Sequence, residues 1–426
     1  MLLLLACSSK PSGTIALVTG GETDVFSRVP APSKLVVDAL APDGSSKTVV
    51  SVALPATSID LGNQTQTEVV SLRVSGEDTN GKRLVFGSSL FLAYGALQDA
   101  TFPVFVQRTG EWARMPGTLD ARERPAIAIL NRRSILVAGG TDPANGKNVI
   151  GYDLASLATL TNTAVLPLAP RSMIIENNAV LAIADDGAAS FGLANASVNS
   201  VNPPSGMTFA EVAGGDIVLG DDGTAYLVGA TRSTQPPTSA VLVVSTTGVV
   251  SAARLLAPRL GAAATFVVDK GVVIFGGSAT GAGVELLSPK ATSATALPFK
   301  PDATSGAGAS LLSGSIVLVA GGGDEASAPA STRTLDLSCG TNCALTPWLV
   351  APVKLVGSHV YGFDASSAIL IGDDDGGLTR SFMVTATTAT EIAFKLPRHH
   401  ARSLVAPTGA VLVVGGGPSV VESFFP

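Results

Sequence analysis

A short apolar run that ends in a glycine word returns along this chain, and its spacing limits the fold more than any other feature. It reads ILVAGG through Gly139 and Gly140, VLAIAD through Ala184 and Asp185, and AYLVGA through Gly229 and Ala230. It continues as VVIFGG at Gly276 and Gly277, VLVAGG at Gly321 and Gly322, ILIGD at Gly372 and Asp373, and VLVVGG at Gly415 and Gly416. The steps between these seven words are 45, 45, 47, 45, 51 and 43 residues. A period in the forties with several short strands per unit marks a propeller blade, whereas a helical solenoid would show helical periodicity. Each unit opens with an apolar strand that turns back into the glycine-ended one, as in AIAIL, Asn131-Arg132, RSILVAGG. A third strand follows, VIGYDL in the first unit and VVESFF in the last. Four such strands per blade, stacked around an axis, leave no long exposed edge.

Composition agrees with many short strands. Apolar residues make up 46% of the 426 and charged ones only 14%, so many strands must be covered on both faces. The mean hydropathy is +0.41, yet no stretch approaches the roughly 18–20 continuous apolar residues of a spanning helix. The 46 glycines and 26 prolines supply turns. A formal charge of −6 without a basic cluster excludes a nucleic-acid surface, which needs concentrated Lys and Arg. The length suits two domains, one small and one large.

Residues 14–101 carry β segments such as SKLVVDALA, EVVSLRVSG and KRLVFGSSLFLAYG. Asp43-Gly44 and Asn80-Gly81 are turn words, the second expected to be a tight hairpin of the primed type. This pattern predicts a small two-sheet sandwich of immunoglobulin or fibronectin type III character. The propeller is expected over residues 102–426. The last unit has no fourth strand, whereas Val104–Met115 is an orphan pair containing Trp112. Joining the two would close the ring, and seven blades are expected.

The chain opens MLLLLACSSKPSG. Leu4, Leu5, Ala6 and Cys7 resemble the lipobox of bacterial lipoproteins, which implies cleavage before Cys7 and an acyl (palmitate-type) anchor on its thiol. Residues 1–7 then read as the remnant of a lipoprotein signal and 8–13 as a tether. The apolar run is shorter than a full signal peptide and lacks a basic flank, so an upstream start is expected. Ser8 in place of Asp favours the outer membrane by the same resemblance. With Cys7 lipidated, Cys339 and Cys343 remain as a pair in CGTNC, and an oxidising compartment makes them a disulfide. A zinc site would need four ligands, which this pair does not supply.

The blade residues resemble the kelch family, including the central propeller of galactose oxidase. Gly139, Gly140, Tyr152 and Asp153 match its pattern best, with Trp112 and Trp348 in fourth-strand-like positions and Arg124, Arg171, Arg259 and Arg402 ahead of first strands. The resemblance covers about three quarters of the chain and is degenerate, since other units lack the Tyr and Trp.

No catalytic set assembles from these residues. The acidic words Asp185-Asp186-Gly187, Asp221-Asp222-Gly223 and Asp373-Asp374-Asp375-Gly376 lack the alternating spacing of a calcium loop. Asp373, Asp374 and Asp375 are the best calcium candidates among them. His399 and His400 are adjacent and point apart on a strand, and His359 is distant. A copper oxidase site would need His, Tyr and a spare Cys together. Paired carboxylates for glycoside cleavage are not singled out, and no G-x-S-x-G elbow occurs. Six Trp and Tyr are few for sugar platforms, with Phe105, Trp112, Trp348 and Tyr361 expected mainly in the core.

The expectation is therefore a non-catalytic interaction module without cofactor, anchored by lipid in the bacterial envelope, with a protein or glycan partner. The alternatives are a secreted propeller-type glycan hydrolase or oxidase, and a structural part of an outer-membrane complex.

Overall fold

The computed structural model describes residues 13–62, 67–97, 100–119, 121–142, 144–160, 164–176, 179–192, 195–229, 236–278, 283–322 and 332–426. Cys7 and the tether through residue 12 lie outside the described residues. Among the described residues the regular structure is strand, with two short 3-10 turns at Tyr94–Leu97 and Phe209–Glu211. The fold is all-β.

Two facing sheets form the N-terminal part. Thr14–Val18 pairs antiparallel with Ser58–Asp60 and parallel with Thr101–Phe105. The facing sheet runs Ser46–Ala53, Lys34–Leu40, Val69–Glu77, Arg83–Ala93 and Gln107–Arg108. In Lys34–Leu40 the side chains of Leu35, Val37 and Ala39 are buried and alternate with more open ones, the period of a half-buried strand. They meet Ile15, Ile59, Val74 and Val104 in one core. The turn at Asn80-Gly81 is not the two-residue hairpin expected, because pairing ends at Glu77 and Arg83. Asp78 is the reason. Its carboxylate accepts the N–H groups of Asn80 at 2.8 Å and Lys82 at 2.9 Å, which organises a longer loop.

The segment Val104–Met115, expected as one strand pair in the last unit, is divided. Thr101–Phe105 lies in the small N-terminal sheet and Gln107–Arg108 in the large one, with Val106 fully buried between them. Pairing with the N-terminal sheets thus runs past the expected boundary at 101–102. Only Trp112–Arg114 crosses over, antiparallel to Glu422–Phe424. The physical reason is burial. Val104 and Val106 belong to the N-terminal core, while Trp112 packs with Val411, Val413 and Phe424.

From Pro125 the strands form successive antiparallel sheets, each traversed in chain order. The first runs Pro125–Leu130, Ser134–Gly139, Asn148–Asp153 and Ala158–Thr159. Later ones open with Ser172–Glu176, Asp216–Leu219, Ala263–Val267, Ala307–Ser313, Val356–Gly362 and Arg402–Val405. Trp112–Arg114 supplies the fourth strand of the last sheet, so the two ends of this region close on each other. The glycine-ended second strands are buried along their whole length, as in Ser134–Gly139 and Val411–Val414. Such a strand needs apolar side chains on both faces, which explains the unbroken apolar words.

The first strands meet in succession. The Gly214 N–H donates to Ser172 Oγ and the Ala264 N–H to Asp216 Oδ2. Gly306 donates to the Gly261 carbonyl and Ser358 to the Gly306 carbonyl. The Tyr361 hydroxyl donates to Ser403 Oγ, and the Arg124 N–H returns to the His400 carbonyl. Pro125–Leu130 also touches Ser172–Glu176. The body is propeller-like, with these strands innermost.

Close approach of neighbouring backbone explains the first glycine of the first and last words. Gly139 has φ +71° and Gly415 has φ +75°. A Cβ on Gly139 would run into the Pro170 carbonyl, and one on Gly415 into the Arg122 carbonyl.

A second repeated device accompanies the glycines. Arg122, Arg259 and Arg398 each lie 17 residues before a first glycine and donate through Nη1 to its carbonyl, on Gly139, Gly276 and Gly415. Two of these arginines also hold a glutamate of the third strand. Arg259 Nη2 meets Glu285 Oε1 at 2.8 Å and Arg398 Nη2 meets Glu422 Oε1 at 3.1 Å, with all four side chains fully buried. Each carboxylate also accepts two backbone N–H groups, from Leu256 and Ala257 in one case and Lys395 and Leu396 in the other. Buried ions require this degree of satisfaction.

The N-terminal sheets pack against the first and last of these sheets. Val18, Phe86, Leu90 and Phe105 share a core with Met115, Leu412 and Phe425. Phe86 and Phe425 meet edge-on with centroids 4.9 Å apart. Polar contacts rim the junction. Glu111 accepts from Arg28 Nη2 at 2.7 Å and from Lys395 Nζ at 2.9 Å, and Arg114 Nε meets Glu22 Oε1 at 3.0 Å.

Candidate functional site

The innermost strands share a register. Opposite the residue just before each glycine word stand Ala126, Ser172, Asp216, Ala263, Gly308, His359 and Arg402. Four of these are small and three are ionisable. Asp216, His359 and Arg402 come from three different sheets. Protein surrounds each of them, yet each keeps part of its surface open to water. They form the channel group, the partly buried side chains that the innermost strands bring to one level. Tyr361, two residues beyond His359 on the same strand face, adds its ring and gives its hydroxyl proton to Ser403 Oγ at 3.0 Å.

Electrostatics bind these residues into one group. Burial pushes the Asp216 carboxyl up to about 7, opposed by the Ala264 N–H and by the positive charge of Arg402. Burial and then Arg402 push the His359 imidazole down to about 4, so it is neutral at pH 7. Tyr361 is raised by burial, with the Asp216 charge adding to it. Burial lowers Arg402, while the carboxylates of Asp373 and Asp216 counter that shift. Among the described residues neither Arg402 nor His359 has a hydrogen-bond partner, and none of their polar atoms is sealed from water.

A second cluster sits where the first strands begin. His400 Nδ1 lies 2.9 Å from Asp373 Oδ2, and Arg124 Nη2 lies 3.1 Å from His400 Nε2. The Nδ1–H tautomer satisfies both contacts, donating to Asp373 and accepting from Arg124. Thr379 Oγ1 donates to the other Asp373 oxygen at 2.8 Å and accepts the Ala401 N–H at 2.9 Å. An Asp–His pair in a hydrolase leaves Nε2 free for a nucleophile. Here Arg124 occupies it.

The acidic run expected to suit calcium is dispersed. Asp373 faces His400 and Thr379, while Asp374 Oδ1 accepts the N–H groups of Gly376 and Leu378, both at 3.0 Å. Asp375 is exposed, with only Lys354 Nζ at 3.9 Å. Their carboxylates thus serve separate protein partners. Among the described residues no group of three or more His, Cys, Asp or Glu is arranged to hold a metal.

The other sequence candidates separate by environment. Cys339 and Cys343 form a disulfide, with Cα atoms 5.8 Å apart. Phe105 and Trp112 are core residues. Trp112 donates from Nε1 to Ser381 Oγ at 2.8 Å. Tyr361 alone of the four aromatics lines the channel group. Tyr152 and Asp153 are structural, with the Tyr152 hydroxyl donating to the Pro116 carbonyl at 2.7 Å and Asp153 paired to Arg133. Elsewhere a groove of about 450 Å³ runs along Pro167, Asp185, Asp186 and Phe209. Asp185 there is already tied to Arg171 at 3.0 Å, and the channel group carries more unspent polar chemistry.

Sequence reasoning missed Asp216 and grouped Arg402 with Arg259 as an ordinary strand leader. A signal existed for Asp216, an acid inside the apolar-flanked strand DIVL. His359 reaches the shared level only through a register shift between Val356 and His359. No spacing in the sequence announces that shift.

No family model matches the chain, and no curated protein matches it. Among solved structures the chain is similar to BBS1N crystallised in complex with ARL6DN, at 11% identity and TM-score 0.48 over 75% of this chain and 98% of that one. It is also similar to the computationally designed Ika8 protein, at 10% identity and TM-score 0.46 over 74% and 100% of the two chains. A fungal alcohol oxidase of the AA5 family in complex with copper is similar at 10% identity and TM-score 0.38, over 75% and 77%. At these values the likenesses bring no activity to this chain.

Proposed function

We propose that the chain is an envelope-anchored lipoprotein whose seven-bladed, kelch-like propeller is a non-catalytic binding module. The N-terminal sheets are its immunoglobulin- or fibronectin-like spacer, and Cys7 carries the acyl chain that holds it at the outer membrane. The observation that carries the binding role is the convergence of Asp216, His359 and Arg402 at one level of the innermost strands, between small residues. Of the three, His359 and Arg402 have no side-chain hydrogen-bond partner among the described residues, and groups held in that way suit recognition of something else. An enzyme of the hydrolase type would draw on Asp373 and His400, and the Arg124 contact to Nε2 argues against that use.

Two measurements test the reading. In cells expressing the complete gene the protein should pellet with membranes, and Cys7→Ala should release it; equal pelleting of the variant would overturn the anchor. On arrays of envelope glycans and peptides, binding should depend on Arg402 and should occur without turnover. Chemical conversion of any array member would replace the module by an enzyme. Binding unchanged in Arg402→Gln would move the site elsewhere, as would be expected of a structural part of an outer-membrane complex.

A further inference from the structure

The channel group offers an unclaimed donor set. Among the described residues the half-buried Arg402 guanidinium has no hydrogen-bond partner. A planar fork of donors is matched best by a group with two oxygens in one plane. Elsewhere in this chain the buried arginines Arg259 and Arg398 have such a match, each on a glutamate. Arg402 is less buried than these two and has no carboxylate hydrogen-bonded to it among the described residues. Its neighbours at the shared level include the small residues Ala126 and Ser172.

We propose that Arg402 is the anchor of a binding site for a small organic monocarboxylate, walled by Asp216, His359 and Tyr361. The proposal rests on the binding-module reading and names its ligand class. Charge selects a monoanion. Arg124 is already engaged with His400, so among the described residues Arg402 is the cation left to serve the site, and the carboxylates of Asp216 and Asp373 repel a second negative charge. A phosphate dianion is therefore disfavoured. The neutral His359 imidazole offers a hydrogen bond to the bound group without competing as a cation, because burial and Arg402 push its pKa down to about 4.

The chain has only three histidines, which makes the site directly observable. Imidazole resonances of histidine-labelled full chain, assigned with His399→Gln and His400→Gln, would be followed while acetate, phosphate or chloride is added at constant ionic strength. Acetate should move the His359 signal saturably, at a concentration about tenfold below that needed for phosphate, a difference of about 1.4 kcal/mol. Arg402→Gln should abolish the saturable shift. Arg402→Lys, which keeps the charge and loses the fork, should weaken acetate about tenfold and erase its advantage over phosphate. Asp216→Asn should bind acetate more tightly, since a repelling charge is gone. A His359 signal unmoved by acetate to about 100 mM would overturn the proposal, given that a millimolar site would be saturated there. So would equal responses to acetate, phosphate and chloride, or a shift that survives in both Arg402 variants. If acetate fails while array binding still depends on Arg402, the carboxylate class falls and the binding module stands. If acetate binds and array binding ignores Arg402, the reverse holds.

Discussion

Arg398 and Arg402 stand four residues apart in one sheet of this molecule and are used in opposite ways. Arg398 is fully buried and spends its guanidinium on Glu422, on the Gly415 carbonyl at 2.7 Å and on the Val420 carbonyl at 2.6 Å. Arg402 is half-buried, and among the described residues its guanidinium has no hydrogen-bond partner. The difference is geometric. Arg398 lies ahead of the strand and reaches across to the third strand of its own sheet, where a glutamate and free carbonyls wait. Arg402 is on the innermost strand itself, at a level shared with Asp216 and His359 from other sheets. The comparison teaches that a buried arginine becomes a staple or a recognition group according to what its own sheet offers it.

The sharpest way to break this contrast is to remove each cation. Arg398→Met leaves Glu422 charged and unpaired in the core, and should cost about 3–5 kcal/mol in urea unfolding. Restoring apolar balance with Glu422→Met in the same chain should recover much of that loss. Arg402→Met should cost far less, or stabilise, because it deletes an unmatched cation. Equal losses at the two sites would end the distinction.

The next effect is carried by Asp216 and depends on pH. Its folded value of about 7 exceeds the ordinary 3.8, so between these values the folded chain holds the proton better than the unfolded one. Wild-type stability should therefore fall as pH rises through that window, relative to Asp216→Asn, which has no such proton. The variant should gain about 2–4 kcal/mol over wild type by pH 8 and nothing near pH 4. Parallel stability curves for the two chains would contradict a desolvated carboxyl at this place.

Reducing the Cys339–Cys343 bond releases a loop closed by a sequence separation of only 4. Loss of about 2 kcal/mol or less is expected, read as the shift in thermal midpoint with and without reductant. A loss comparable to that of Arg398→Met would show that the turn braces the whole sheet.

The smallest effect belongs to the pair intermediate between staple and channel. Hydrogen bonds from Arg133 hold the Asp153 carboxyl down to about 2, while the Arg133 side chain is 59% exposed. Its contribution is complete above the ordinary carboxylate value and is lost as pH falls toward 2. Arg133→Gln should cost about 1 kcal/mol at pH 7 and nothing at pH 2. A cost that persists in acid would assign the residue a packing role instead.

The repeat was legible because most of its words combine a strand buried on both faces with a glycine in a left-handed backbone conformation. Gly139 and Gly415 carry that constraint in the residues themselves. The closing strand was legible for the same kind of reason, since Trp112 is a large apolar residue that needs the partner Phe424 provides. The arginine ladder was misread. Arg124, Arg171, Arg259 and Arg402 look alike as leaders of strands, but the shared offset of 17 residues selects Arg122, Arg259 and Arg398. A second arginine close by, Arg124 beside Arg122 and Arg402 beside Arg398, hid that offset.

By itself the amino-acid order determined that this chain forms short strands in repeated units, that its N-terminal segment forms β-structure of another pattern, and that Cys339 and Cys343 can meet. These properties are local, since glycine, turn residues and apolar runs act on the chain within a few residues of themselves. Tertiary structure alone decided that Asp216, His359 and Arg402 stand at one level. They are separated by 143 and 43 residues in sequence, as the differences 359 − 216 and 402 − 359 show. Their meeting depends on how the innermost strands are set in register, including the shift before His359. That register is fixed by backbone pairing and by the packing of whole sheets against one another, and no single residue encodes it.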